Sequence, residues 1–190
     1  TEGEVHDKMK EWGISVDAYA DYPKMLARKD IAIIAICAPH HLHTEFAVKA
    51  ARAGKHIVIE KPASLSLKDL KRLRDEVKKA GVKTVTGFVL QWNPLFETIV
   101  SMLKDDTIGE VFYGEVDYMH GIGPWYGQYS WQVKKELGGS SLLTAGIHAM
   151  DALLLFMGQE VAEVTSYSTR SKNPVFKEYE YDPSCVTILK

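Results

Sequence analysis

The chain has 190 residues, 46% hydrophobic and 25% charged, the profile of a water-soluble globular protein with a sizeable core. Its 23 basic residues against 25 acidic ones leave a formal charge of −2, too near neutral to suggest a nucleic-acid partner. No apolar run approaches a membrane span (the longest is Ile31 to Pro39), no signal-peptide pattern opens the chain, and two distant cysteines, Cys37 and Cys185, predict free thiols in a reducing, cytoplasmic compartment.

Val5 to Trp12 predicts the last turns of a helix, stopped by Gly13. Ser15 to Ala20 is a short extended piece, and Tyr22 to Ala27 a brief helix with proline near its first turn. Ile31 to Ala38 predicts a nearly all-apolar strand, with Cys37 buried in it and inert. Pro39-His40-His41-Leu42-His43 opens a helix through Ala53, with Leu42, Phe46, Ala47 and Ala50 on one face and Gly54 beyond its end. His56 to Ile59 is a second apolar strand. Ser66 caps a helix with Asp69 three residues on; its apolar stripe is Leu67, Leu70, Leu73, Val77 and Ala80, and Gly81 ends it. Lys83 to Val89 is a third strand. Strands alternating with helices at this spacing predict βαβ units and a parallel, doubly wound sheet covered on both faces. Such sheets usually begin with their own strand and a Gly-rich turn; this chain opens inside a helix and contains no G-x-G-x-x-G.

Asn93-Pro94 breaks the pattern, so the boundary falls between a domain at 1–92 and a second at 93–190. Leu95 to Lys104 predicts a helix. Val111 to Tyr118 alternates partly and predicts a strand with one face uncovered by helices, a docking face for a second copy in a homodimer or homotetramer. Gly121 to Trp131 is an aromatic loop. Gly138-Gly139-Ser140-Ser141 leads into a helix from about Leu143 to Met157, and Val161 to Ser168 and Cys185 to Leu189 are two further strands.

Two stretches carry chemistry. Glu60-Lys61-Pro62 ends the second strand abruptly, and ligands of open parallel sheets bind just beyond the carboxyl ends of strands. Taken alone, such a Glu-Lys pair is more often a structural ion pair. In Thr144-Ala145-Gly146-Ile147-His148-Ala149-Met150-Asp151, residues 144, 148 and 151 share one helical face, which makes His148 a candidate acid/base. Gly146 inside that helix predicts the close approach of another backbone or of a ligand. His40-His41-x-His43 does not place three imidazoles on one side and has no adjacent acidic or cysteine ligand, so no metal site is assigned. Among the loop aromatics Trp125 and Tyr126 are candidates to stack on a sugar, and Trp131 reads as a structural anchor.

Glu60-Lys61-Pro62, preceded by Ala38-Pro39-x-x-x-His43 and Ala53-Gly54-Lys55-His56 and followed by Gly138-Gly139 and Gly146-x-His148-x-x-Asp151, resembles the Gfo/Idh/MocA oxidoreductases over essentially the whole chain. The resemblance implies an α/β fold: an incomplete Rossmann sheet, then part of an α/β domain with an open, mostly antiparallel sheet. It implies NAD or NADP at the strand ends, beside Ala38, Pro39, His40, His43, Glu60 and Lys61, although His43 is explained by the motif as structural. It implies a sugar or polyol whose secondary alcohol is oxidised, or whose ketone is reduced. By matching position Lys61 and His148 are the catalytic pair, with Lys61, Trp125, Tyr126, Thr144 and His148 on the substrate. Family members extend beyond this chain at both ends, so a fragment lacking the Gly-rich turn is expected to bind the cofactor weakly. Many members have Asp where Thr144 stands, which puts a three-part Lys-Asp-His relay in doubt. Two alternatives stand beside the dehydrogenase: an NAD-dependent glycosidase of the same fold and a non-catalytic dinucleotide-binding regulator.

Overall fold

In a computed structural model, which describes residues 2–158 and 160–190 apart from the side chains of Glu2, Pro124 and Trp125, three short parallel strands form the first sheet. They are β1 (Ile33–Ile36), β2 (His56–Ile59) and β3 (Thr84–Thr86), in the order β1-β2-β3. The register sets Ile34 beside Ile57 and Ile36 beside Ile59. All four are buried, and each contributes about 1.5–3 kcal/mol by leaving water. Helix α1 (Glu2–Glu11) and the short α2 (Tyr22–Leu26) precede the sheet, and α2 sends Leu26 into the core. Helix α3 (His43–Arg52) packs its Ala47, Val48, Ala50 and Ala51 on β1 and β2, and α4 (Leu67–Ala80) packs on α3. Buried Lys55 ties the entry to β2 to the turn that leads into β1, its ammonium donating to the carbonyls of Arg28 and Ile31 at 2.6 and 2.8 Å.

The sheet departs from expectation in being covered on one face only among the described residues. Ile33 is 58% exposed and Val58 41%, and they alternate with buried neighbours as a half-covered sheet requires. Cys37 continues the open row of Ile33 and Ala35, and it is therefore exposed rather than buried; Cys185 is exposed as well. The stripe assigned to α4 is also narrower. Leu73 is buried and Val77 partly so, whereas Leu67 and Leu70 face out. The ends of α4 follow expectation: the Ser66 hydroxyl oxygen accepts from the Asp69 amide, and Gly81 closes the helix at φ 67°.

In the second half, α5 (Pro94–Lys104) lies against α7 (Ile147–Met157), with the Phe96 and Phe156 rings 5.1 Å apart edge to face. The predicted strand over 111–118 does not form. The segment has no regular secondary structure and no ladder partner, and it rests instead on α7, where Gly114 lies against Met157 and Leu153. Strands β4 (Val164–Thr169) and β5 (Ser184–Leu189) form an antiparallel pair with Tyr167 opposite Val186. A short α6 (Lys135–Gly138) and a π-helical turn over Leu142–Gly146 lead into α7. Taken together, Lys135–Met157 is long and apolar enough, at a mean hydropathy of 1.4 over its best window, to match a membrane span by length and composition, contrary to expectation. It is broken at Gly139 (φ 95°), and its far half carries His148 and Asp151 inward to a polar site.

Candidate active site

The site starts at the carboxyl ends of β1 and β2, and one buried imidazole ties those ends together. His43 is fully buried at the start of α3; one ring nitrogen lies 2.7 Å from the Pro62 carbonyl and the other 2.7 Å from that of Ala38. Both nitrogens are thus spent on backbone. His43 thereby ties together the two loops that follow β1 and β2. Ala38 and Pro39 are half-buried at the mouth, and the Lys61-Pro62 bond is cis. The Glu60 carboxylate turns back, accepting from the Lys61 amide at 3.2 Å. Gly87, just past β3, gives it room: a Cβ there would lie 3.1 Å from the carboxylate, a contact tight enough to shift it.

Lys61 points across to the second half of the chain. Its ammonium donates to the Thr144 carbonyl at 2.6 Å, a contact spanning 83 residues of sequence. The π-helical turn presents that carbonyl. Burial holds the Lys61 amine below the usual lysine range, against the opposing charge of Glu60. His148, the second residue of α7 and 7% exposed, is held below the usual histidine range first by burial and then by the Lys61 charge; Asp151 and Glu60 oppose this. Its Nδ1 has no hydrogen-bond partner. Two bases therefore share one enclosed place, each biased towards its neutral, proton-accepting form.

The remaining candidates divide. The Thr144 hydroxyl donates to the Gly138 carbonyl at 3.3 Å, so its hydrogen is spent on backbone rather than held out for a substrate. His40 is buried, with Nδ1 3.1 Å from the Gly138 carbonyl, its ring edge-on to Trp131 at 4.6 Å, and its pKa pushed down by burial to about 4. It is a neutral clamp between the two halves, and Trp131 anchors it. The Tyr126 hydroxyl meets the His120 ring at 3.2 Å. Trp125 falls, in its side chain, outside the described residues. Gly146 faces Leu142 and Ser141 of its own preceding turn, not another backbone or an open site. The close approach belongs to Gly138, whose absent Cβ would lie 2.4 Å from the Gln132 carbonyl oxygen.

Four participants carry no motif. Tyr118 and His120 stack 5.8 Å apart, and the Tyr118 ring lies 5.6 Å from that of His148. Their i, i+2 spacing on an extended segment is the signal that places them together. Gly87 leaves room for Glu60, and Gln91 donates to Asp151 Oδ1 at 2.7 Å; neither has a local sequence signature. Two clefts flank the site. One of about 300 Å³ runs between His40, Thr44, Ser64, Arg72 and Glu136, and one of about 390 Å³ between Ser140, Ser168, Arg170 and Cys185. Lys61 and His148 line neither. Among the described residues no cluster of three metal-ligating side chains occurs.

A family described as "Oxidoreductase family, NAD-binding Rossmann fold" matches residues 3–88, and "GFO/IDH/MocA C-terminal domain" matches residues 96–190. The chain belongs to this GFO/IDH/MocA oxidoreductase family. It is similar to the myo-inositol 2-dehydrogenase of Thermotoga maritima, 29% identical over 147 residues covering 77% of this chain and 42% of that protein. It is similar also to the scyllo-inositol 2-dehydrogenase (NAD(+)) of Bacillus subtilis, 26% identical over 168 residues, 87% of this chain and 47% of that one. A solved NADPH-dependent oxidoreductase from Desulfitobacterium hafniense superposes with a TM-score of 0.83 at 28% identity, over 100% of this chain and 53% of that one. A levoglucosan dehydrogenase solved with NADH and levoglucosan shares the fold, with a TM-score of 0.85 at 22% identity, over 100% and 51%. The chain spans about half the length of the curated relatives it matches.

Proposed function

We propose that the protein containing this chain moves a hydride between NAD(H) or NADP(H) and the secondary alcohol or ketone of a sugar or polyol. The observation that carries this is that half-buried Lys61, just past the carboxyl end of a parallel strand, lies close enough to buried His148 for its charge to act on that ring, with both groups biased towards their neutral forms. The relatives named for inositols and levoglucosan support the substrate class. The residues present fit a nicotinamide ring: half-buried Ala38, Pro39, Glu60 and Lys61 rim the carboxyl ends of β1 and β2, and Gly87 adds no side chain beside them. A bound nicotinamide supplies the acceptor or donor for the hydride.

The chain's own groups handle the proton. In the oxidation direction the neutral Lys61 amine takes the hydroxyl proton as the carbon–hydrogen bond gives up its electron pair, leaving a carbonyl. His148 takes that proton on from the Lys61 ammonium. Glu60 orients the lysine through the backbone of its turn, and His43 fixes that turn from below. Release of Lys61 from the Thr144 carbonyl opens the space a substrate occupies. The test is formation of reduced nicotinamide by the protein containing this chain, across a panel of inositols, aldoses and anhydrosugars. Activity on a secondary alcohol that vanishes in Lys61→Ala supports the proposal; equal rates for parent and variant overturn it.

For assembly we propose a homo-oligomer built on the outer face of the β4–β5 pair. The register puts Thr165, Tyr167, Val186 and Ile188 on one face, and Tyr167, Val186 and Ile188 are 74, 69 and 62% exposed.

A further inference from the structure

His148 needs a fixed tautomer to take up a proton, because a neutral imidazole donates from one nitrogen and accepts at the other. Position 144, one turn before it, holds a threonine whose hydroxyl is bonded to the Gly138 carbonyl and whose own carbonyl is taken by Lys61. Nothing on that side orients the ring. Two buried polar atoms of α7 lack partners, and they are His148 Nδ1 and Asp151 Oδ2. They sit three residues apart, hence on one helical face with Cβ atoms about 5–6 Å apart. One is a nitrogen able to donate and the other an oxygen able only to accept. A buried polar atom left unsatisfied costs about 1–3 kcal/mol, so two on one helical face with complementary roles satisfy each other through small side-chain rotations. The carboxylate is already steered, since Gln91 Nε2 donates to its Oδ1 at 2.7 Å and leaves Oδ2 for a second donor.

We propose that Asp151 is the positioning carboxylate of His148: its Oδ2 accepts the hydrogen on Nδ1, leaving Nε2 as the acceptor that faces the substrate. Gln91 holds that carboxylate in turn. The other groups facing the ring do not compete for Nδ1. Lys61 and Glu60 come from the turn after β2, where Glu60 is engaged by the Lys61 amide. Tyr118 comes from the 111–118 segment and offers a tilted ring at 5.6 Å. The charges agree in sign, because Asp151 favours protonated His148 while burial and Lys61 disfavour it.

Only the consequence for turnover rests on the function proposed above; the tautomer does not. The experiment is nitrogen-15 NMR of the His148 ring, read with pH, in this 190-residue chain and in Asp151→Asn. The native ring should carry its hydrogen on Nδ1. In Asp151→Asn, Gln91 still holds the amide oxygen, so the amide nitrogen points at Nδ1 and donates to it, and the ring hydrogen moves to Nε2. The titration midpoint should fall by about one pH unit or more with the loss of the nearby charge. A native ring protonated on Nε2 overturns the proposal whether or not the variant folds, as does an unchanged tautomer and midpoint in a folded variant. In the protein containing this chain, Asp151→Asn should lower kcat with little change in KM, and Asp151→Glu should restore part of it. A parent protein inactive on every alcohol, with the tautomer as expected, would sink the proposed function and leave this assignment standing.

Discussion

At the scale of single residues, the site works by withholding water from three basic groups. Lys61, His148 and His40 are all depressed from their ordinary values with burial as the largest cause, yet they serve different ends. Lys61 and His148 face the space between the halves, and His40 is spent on the Gly138 carbonyl. Lys61→Ala should therefore lower kcat by about 10²-fold or more, the ordinary worth of a positioned acid/base, measured as the rate of nicotinamide reduction. The oxidation rate should rise with pH through a midpoint below 10.5, since the amine accepts a proton only when neutral. His40 gives a stability effect of definite sign. The unfolded chain binds a proton there near 6.5 and the folded chain near 4, so the stabilisation is complete above 6.5 and disappears as pH falls from 6.5 to 4. The loss is about 3 kcal/mol. Urea midpoints at pH 7 and pH 4 should differ less in His40→Gln than in the parent; equal differences would mean that His40 takes no part.

At the scale of elements, the cap of α4 and the approach at Gly138 are the places where one atom decides an arrangement. Ser66→Ala removes the acceptor of the Asp69 amide and should cost about 1 kcal/mol by thermal or urea unfolding. Gly138→Ala should cost about 1–3 kcal/mol, because the new Cβ meets a backbone oxygen that no rotamer can move. Gly121→Ala, which meets nothing within 4 Å, should stay within about 0.5 kcal/mol. These elements also show what a local sequence can and cannot reveal. The Val/Ile run ending at Glu60-Lys61-Pro62 announced a parallel strand and the place where it stops, because burial and chain stiffness are written in consecutive residues. The cap of α4 was equally legible. The 111–118 segment was not, since alternation signals an extended chain but not the partner that would make it a strand. Likewise Leu67 and Leu70 have the spacing of a buried stripe, and only the packing of α3 on α4 decides that Leu73 alone is buried. The roles of Gln91 and Gly87 depend on residues 60 and 27 positions away, Asp151 and Glu60, and no window of sequence contains both partners.

At the scale of the whole molecule, the two halves meet through the His40 ring on Trp131, through Leu65 beside Gly139, and through three hydrogen bonds: Lys61 to Thr144, His40 to Gly138 and Gln91 to Asp151. Each hydrogen bond is worth about 0.5–1.5 kcal/mol net. The outer face of the β4–β5 pair sets the assembly prediction. Tyr167→Lys together with Ile188→Lys should lower the sedimenting mass of the protein containing this chain, while a mass unchanged by both substitutions would place the contact elsewhere.

The approach of Gly138 to Gln132 has a meaning for descent as well as for packing. The glycine is required by a backbone atom 2.4 Å from where its Cβ would be, not by any substrate, cofactor or proton. Selection on catalysis and selection on this turn are therefore separable. Descendants that have exchanged Lys61 or His148 for other residues should keep glycine at 138 for as long as they keep the fold. In an aligned set of such proteins, position 138 should therefore vary less than positions 61 and 148.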